Sequence, residues 1–164
     1  MGTVVVGVDP GPTPGICALL YHPERTLADF RVMQINARGC MGAVQWLLNS
    51  EWGDGHRGLV AVERFVVGRR AVINSAHDAG QITRNLIGAL FELGDSYEVE
   101  VKVRSAAEVK PWATDDRLKK AGLLASALGM PHARDGCRHA LFCAVADLGV
   151  ADPLSKKAGV SGGG

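Results

Sequence analysis

Two acidic residues lie at the ends of apolar runs that predict buried strands. Asp9 ends the run TVVVGVD at residues 3–9, and Glu63 ends the run GLVAVE at residues 58–63. A buried carboxylate without a partner is costly, and two adjacent carboxylates repel each other unless a cation lies between them. If the two strands are sheet neighbours, both carboxylates emerge side by side, and their hard oxygen atoms suit Mg²⁺ or Mn²⁺. The sequence therefore predicts a divalent metal site at Asp9 and Glu63.

A third candidate element lies in the helical segment RDGCRHALFCAVA, at residues 134–146. Asp135 and His139 are four residues apart and therefore share one face of a helix. Both side chains can bind metal ions, and neither belongs to the apolar stripe of the same helix. We therefore add Asp135 and His139 to the predicted catalytic, metal-binding set.

Each of these residues also has an ordinary structural interpretation when it is taken alone. Asp9 could cap the turn GPTPG that follows it. Glu63 could pair with Arg64 or Arg69, and the Asp–His pair could be an exposed pair on a helix. The metal site is favoured because the three acidic elements occur together.

Hydrophobic periodicity predicts the elements that must position these side chains. Strands are expected at residues 3–9, 16–21, 27–35, 58–65 and 97–104. Helices are expected at residues 39–49, 74–93, 114–129 and 133–148, with Gly94-Asp95 ending the second of them. This order predicts an α/β fold with a mixed five-stranded sheet, in which three antiparallel strands pass into parallel crossovers and helices cover both faces.

Composition limits the class of protein. The 164 residues are 47% hydrophobic and 21% charged, which fits one globular domain at 1–150 followed by a polar, glycine-rich tail at 151–164 that we expect to be disordered. No apolar stretch approaches the roughly 20 residues of a membrane span, and no secretory signal is apparent. The four cysteines form no CxxC pair and are expected to be reduced thiols. We therefore expect a cytoplasmic location.

The distribution of basic residues says more than the net charge of +1. Basic residues cluster at Arg64, Arg69 and Arg70, at Lys102, Arg104 and Lys110, at Arg117, Lys119 and Lys120, and at Arg134 and Arg138. Solvated surface charge is the ordinary interpretation of such clusters. Their closeness in sequence to candidate catalytic acids weakens that interpretation here.

Four stretches, in order along residues 3–148, resemble motifs of RuvC-type Holliday junction resolvases in the ribonuclease H-like superfamily. VDPGPTPG (8–15) is similar to D-P-G-x-T-x-x-G, with one residue fewer before the second glycine. Glu63 with AGQITRN (79–85) resembles the glutamate and the G-Q-x-R-G helix of that family. AAEVKPW (106–112) is similar to R-x-V-K, and DGCRHA (135–140) is similar to D-x-x-D-A or H-x-x-D-A.

The last motif departs from the family pattern. His139 precedes Ala140 as the second metal ligand of the motif would. The first ligand position aligns with Gly136, so Asp135 would substitute from one position earlier. The RHA ending at residues 138–140 is what we expect of phage-encoded relatives.

The resemblance implies a ribonuclease H-like fold and a structure-selective DNA endonuclease that resolves four-way junctions. Asp9, Glu63, Asp135 and His139 would hold two Mg²⁺ or Mn²⁺ ions for phosphodiester hydrolysis. It also implies a homodimer, because two symmetric nicks need two active sites. We expect the helix 74–93 to form part of the dimer interface.

The resemblance and the basic clusters together give a predicted set of DNA contacts: Arg64, Phe65, Arg69, Arg70, Arg84, Lys110, Lys119, Lys120 and Arg138. Phe65 stands one position short of an aromatic residue that probes DNA in the family. Lys119 falls near the second helical lysine of the family.

Three other functions remain open from the sequence. A ribonuclease H or a flap nuclease could use the same fold. A nucleotide-binding phosphotransferase also opens with a D-x-G-x-T-x-x-G turn, although it needs a second lobe to enclose ATP. A non-catalytic junction-binding module is the third, and the intact acidic residues argue against it.

Overall fold

The computed structural model describes residues 2–49, 56–66 and 74–155, without the side chains of residues 74–77. The strands are β1 (Thr3–Asp9), β2 (Gly15–Tyr21), β3 (Leu27–Gln34), β4 (Arg57–Glu63) and β5 (Glu100–Arg104). The helices are α1 (Ala37–Asn49), α2 (Asn74–Tyr97), α3 (Ala106–Val109), α4 (Asp115–Lys120) and α5 (Pro131–Leu148), with a 3₁₀ turn at Ala125–Ala127.

The strands form one five-stranded sheet in the order β3-β2-β1-β4-β5. β1 pairs antiparallel with β2, and β2 pairs antiparallel with β3. β1 and β4 are parallel neighbours, as are β4 and β5. The predicted mixed α/β sheet is therefore confirmed.

Side chains that alternate along the central strands build a core on each face of the sheet. Val4, Val6 and Val8 of β1 pack with the buried residues of α1 and α2. Val5 of β1 and Ala61 of β4 pack on the opposite face with α4 and α5. Helices therefore cover both faces, as predicted. Within the described ranges, no helix is long and apolar enough to cross a membrane.

Helix α5 lies directly on the backbone of β1 and β2, because Gly7, Gly15 and Gly136 allow it to approach. A Cβ atom on Gly7 would lie 2.1 Å from the carbonyl oxygen of Gly136. A Cβ atom on Gly15 would lie 1.9 Å from the carbonyl oxygen of His132. Only glycine leaves room for such contacts, so α5 is seated where β1 ends and β2 begins.

Helix α2 runs past Gly94-Asp95 to Tyr97, so the predicted end of this helix is wrong. Gly94 serves packing instead, because a Cβ atom there would lie 2.6 Å from the side chain of Val101 in β5. The chain leaves the helix at Glu98, which adopts a left-handed φ of 54°. The β5 strand consequently begins at Glu100 and not at residue 97.

The predicted helix at 114–129 is also wrong. Thr114 caps the short helix α4 by accepting a hydrogen bond from the backbone of Arg117. Gly122, with a φ of 80°, then ends the helical path. A residue with a side chain would be strained in that conformation. The segment is therefore divided into α4, a turn and the 3₁₀ turn.

Part of the expected tail at residues 151–164 has a described structure. Residues 151–155 are described, and Asp152 accepts hydrogen bonds from Nε and Nη2 of Arg117. The guanidinium of Arg117 also lies 4.6 Å from the ring centroid of Trp112. Residues 156–164 lie outside the described residues.

We predict that Gly7→Ala will destabilise the fold by more than about 3 kcal/mol, because the added Cβ meets backbone atoms that cannot turn aside. Gly42→Ala is the matched control, since a Cβ there meets nothing within 4 Å. That change should be neutral or stabilising by about 0.5–1 kcal/mol. Urea unfolding measures both changes, and an unchanged midpoint for Gly7→Ala would show that α5 does not need this close approach.

Candidate active site

Asp9 and Glu63 lie next to each other at one end of the sheet. The parallel register pairs Val8 of β1 with Val62 of β4, so the residue that follows on each strand is a carboxylate. The two side chains are 13% and 19% exposed. The structure thus brings together the pair that the sequence singled out, in partly buried positions.

Two histidines of α5 contact these carboxylates. Nδ1 of His132 lies 2.8 Å from Oδ2 of Asp9, and Nε2 of His139 lies 3.1 Å from Oε2 of Glu63. The two histidines are two helical turns apart, so both face the sheet. His139 is buried, whereas His132 is exposed at the start of the helix. The backbone amide of His132 donates to Oε1 of Gln34, which ties this end of α5 to β3.

The pKa of Asp9 is raised above its ordinary value. Burial is the largest cause, the hydrogen bond with His132 opposes it, and the negative charge of Glu63 raises the pKa further. An ionised Asp9 is therefore costly in the folded protein, and a cation close to both carboxylates would offset that cost.

Asp135 lies in a different electrostatic setting. Its Oδ2 accepts a hydrogen bond from Nζ of Lys110 at 2.8 Å, and its Oδ1 accepts one from Nη1 of Arg138 at 2.5 Å. Burial alone would raise the pKa of Asp135, but these two cations outweigh burial and lower it. Asp135 is therefore held as an anion, and its charge adds to the raised pKa of Asp9.

The donor atoms fit a divalent metal, although the described part of the chain holds no group of three or more His, Cys, Asp or Glu placed to bind one. Asp9 and Glu63 each contact an imidazole, and Asp135 is paired with Lys110 and Arg138. Carboxylate oxygens suit Mg²⁺, and imidazole nitrogen is acceptable to Mn²⁺. The predicted ligand assignment of the four residues stays a prediction.

A cleft of about 380 Å³ opens beside the two strand ends. Asp9, Glu63, Phe65, Thr83 and Ala106 are among its lining residues. The carboxylates are consequently reachable from outside the protein, on the side that faces α2 and the start of α3.

Three predicted DNA contacts lie around this cleft. Arg64 and Arg84 are exposed, and Phe65 is partly buried. The guanidinium of Arg84 lies 5.5 Å from the ring centroid of Phe65. A Cβ atom on Gly80 would lie 3.0 Å from the same ring, so Phe65 packs closely on α2.

The remaining predicted DNA contacts differ in their surroundings. Lys119 and Lys120 are exposed in the last turn of α4. Lys110 is partly exposed and pairs with Asp135. Arg138 is mostly buried, and its donors are directed to protein acceptors. Arg69 and Arg70 lie outside the described residues.

Sequence reasoning missed His132. The helix was predicted to begin at residue 133, but α5 begins at Pro131, which includes His132 in its first turn. A signal was available, because His132, Asp135 and Gly136 fit an H-x-x-D-[small] pattern one turn before the residues that were matched to the family motif. Gly136 lies against β1 and β2, where a larger residue would crowd the strands.

The strand order, the two carboxylates at adjacent strand ends and the helix that crosses them define an α/β fold of the ribonuclease H-like class. Among solved structures, the chain is similar to T. thermophilus RuvC in complex with a Holliday junction substrate, with a TM-score of 0.58 and 22% sequence identity. The likeness covers 93% of this chain and 99% of that one. No family model matches the chain, and no curated protein matches its sequence.

We predict that Asp9→Asn raises the unfolding temperature of the metal-free protein by about 1–3 °C at pH 7. A carboxyl whose pKa is raised in the folded state lowers the stability of the protein once the pH exceeds the pKa of the same group in the unfolded state. Asparagine cannot ionise, so the Asp9→Asn change removes this cost. The gain should vanish below about pH 3.8, where both side chains are neutral. Asp152→Asn is the control of opposite sign, because Arg117 lowers the pKa of Asp152. Thermal melts in chelator across this pH range test both, and a lower melting temperature for Asp9→Asn at pH 7 would contradict the prediction.

Proposed function

We propose that the protein is a metal-dependent endonuclease that resolves four-way DNA junctions. The observation that carries this proposal is the pair of carboxylates, Asp9 and Glu63, at adjacent strand ends beside an open cleft. The similarity of the fold to a resolvase solved with a junction supports this choice of substrate. The RHA ending at residues 138–140 further supports kinship with phage-encoded resolvases.

Asp9, Glu63 and Asp135 are the residues that would hold Mg²⁺ or Mn²⁺ ions, with His132 and His139 beside them. When bound, two ions would activate water for attack on a phosphodiester and stabilise the leaving 3′-oxygen. The chain itself contributes position: β1 and β4 fix two carboxylates, and α5 brings the third to the same end of the sheet. The cleft admits the phosphodiester, and the core beneath it keeps the strand ends in place.

Exposed basic residues on two sides of the site would bind DNA phosphates. Arg64 and Arg84 lie on the α2 side, and Lys119 and Lys120 lie on the α4 side. Contacts of this type position a junction without reading its sequence. Phe65, which lines the cleft, is suited to stack on an unpaired base.

A homodimer through α2 is part of the proposal. One stripe of α2, formed by Leu86, Leu90 and Leu93, is buried in the chain's own core. Phe91 lies outside that stripe, is 46% exposed, and borders an apolar surface with Ile87. A second copy of the chain covering this surface would place two active sites on one junction.

We predict that Asp9→Asn and Glu63→Gln each reduce cleavage of a four-way junction by at least about 1000-fold with Mg²⁺. Junction binding should be unchanged or tighter, because a negative charge that repels phosphate is removed. The test compares cleavage of a four-way junction, a flap and an RNA–DNA hybrid side by side, with binding measured in parallel. Near-normal turnover by either variant would remove that residue from the site, and preferred cleavage of the hybrid or the flap would overturn the choice of substrate.

His139 is predicted to support Glu63, since its Nε2 is directed at Oε2 of that carboxylate. His139→Asp should be inactive, because it sets two carboxylates against each other. His139→Asn can still donate a hydrogen bond and should keep part of the activity. Cleavage assays with Mg²⁺ and with Mn²⁺ measure both. Retained activity in His139→Asp would instead favour the direct metal-ligand role that the sequence suggested.

A further inference from the structure

Arg138 makes three hydrogen bonds, one within α5 and two that join α5 to Ala113 and Asp115 at the start of α4. Its Nη1 donates to Oδ1 of Asp135 at 2.5 Å, and its Nη2 donates to Oδ1 of Asp115 at 2.7 Å. Its Nε donates to the carbonyl oxygen of Ala113 at 3.1 Å. The side chain is only 19% exposed. We call this set of contacts the Arg138 clamp.

Lys110 holds the other oxygen of Asp135 in a more open way. Its Nζ donates to Oδ2 at 2.8 Å, and its side chain is 40% exposed. A lysine ammonium is a point charge on a flexible stem, whereas the guanidinium of arginine is a rigid fork. Asp135 therefore has one mostly buried partner, Arg138, and one more exposed partner, Lys110.

Arg138 and Lys110 differ in the free energy that would be lost if each left Asp135 for a DNA phosphate. If Arg138 turned to a phosphate, the clamp would lose three hydrogen bonds, and Ala113 and Asp115 would lose a donor. Ala113 is buried, so leaving its carbonyl oxygen without this donor costs free energy that one exposed phosphate contact does not return, whereas Asp115 is 50% exposed and also pairs with Arg134. If Lys110 turned to a phosphate, it would exchange one charged oxygen for another.

We propose that Arg138 is a positioning residue for Asp135 and makes no DNA contact, and that Lys110 is the exchangeable partner that leaves Asp135 for a DNA phosphate. This inference rests on the proposed nuclease function. It reassigns Arg138, which the sequence suggested as a DNA contact. In this arrangement the arrival of DNA frees Oδ2 of Asp135 while the Arg138 clamp keeps Oδ1 in place.

The first test measures junction binding without catalysis, in chelator, as a function of salt concentration. Each lost phosphate contact lowers the slope of log affinity against log salt by about one. Lys110→Ala should lower the slope by about one, and Arg138→Gln should leave it unchanged. Asp115→Asn should also leave it unchanged, although it would release Arg138 toward DNA if Arg138 were a phosphate contact.

The second test measures the turnover of saturating junction. Arg138→Gln should reduce turnover by at least about tenfold. Arg138→Lys should not restore it, because a lysine keeps the charge but cannot reach three acceptors. Asp115→Asn should reduce turnover on its own and add little in the Arg138→Gln background, since both changes open the same clamp. Thermal melts identify any variant that fails to fold, in which case Arg138→Lys and Asp115→Asn carry the test.

The outcomes separate this inference from the proposed function. A wild-type protein that cleaves junctions, with a slope reduced by about one in Arg138→Gln and activity restored in Arg138→Lys, would overturn the positioning role alone. An unchanged slope in Lys110→Ala would overturn the exchange. A wild-type protein that neither binds nor cleaves junctions would overturn the proposed function, and this inference with it.

Discussion

The close approach of α5 to the backbone of β1 and β2 is the constraint on which the rest of the site depends. Gly7, Gly15 and Gly136 remove the side chains that would hold the helix away from the sheet. With the helix seated there, His132 in its first turn contacts Asp9, and His139 two turns further along contacts Glu63. A helix at the usual packing distance would separate these groups. The glycines carry no functional group, but they set the distance between the side chains of α5 and the carboxylates at the strand ends.

The second organising feature is the unequal treatment of the carboxylates. Burial and the neighbouring Glu63 raise the pKa of Asp9, whereas Lys110 and Arg138 lower the pKa of Asp135. A site that raises the pKa of one carboxyl and lowers the pKa of another can give the two groups different roles. Asp9 is the group whose charge gains most from a bound cation. Asp135 already has two cationic partners, Lys110 and Arg138, and Lys110 is the more exposed of the two.

The sequence predicted correctly those features of the fold that depend on a local pattern of residues. Uninterrupted apolar runs placed β1 and β4, and the carboxylate at the end of each run predicted the centre of the site. It did not predict where Gly94 and Gly122 act, because the same residue type ends a helix at one position and permits close packing at the other. It also could not show that Arg138 bonds to protein acceptors, since a basic residue on a helix looks the same in sequence whether it faces solvent or a partly buried carboxylate. Those outcomes depend on tertiary contacts.

The segment between the short helices α3 and α4 lies against α5 and places two acceptors there. Ala113 comes just before α4, and Asp115 is its first residue. The carbonyl oxygen of Ala113 and the carboxylate of Asp115 both lie beside α5, where Arg138 bonds to both. The short helix α3 before it carries Lys110 to the opposite oxygen of Asp135. The two oxygens of Asp135 are thus held from two directions, one by Lys110 at the end of α3 and the other by Arg138, which is itself bonded to the start of α4.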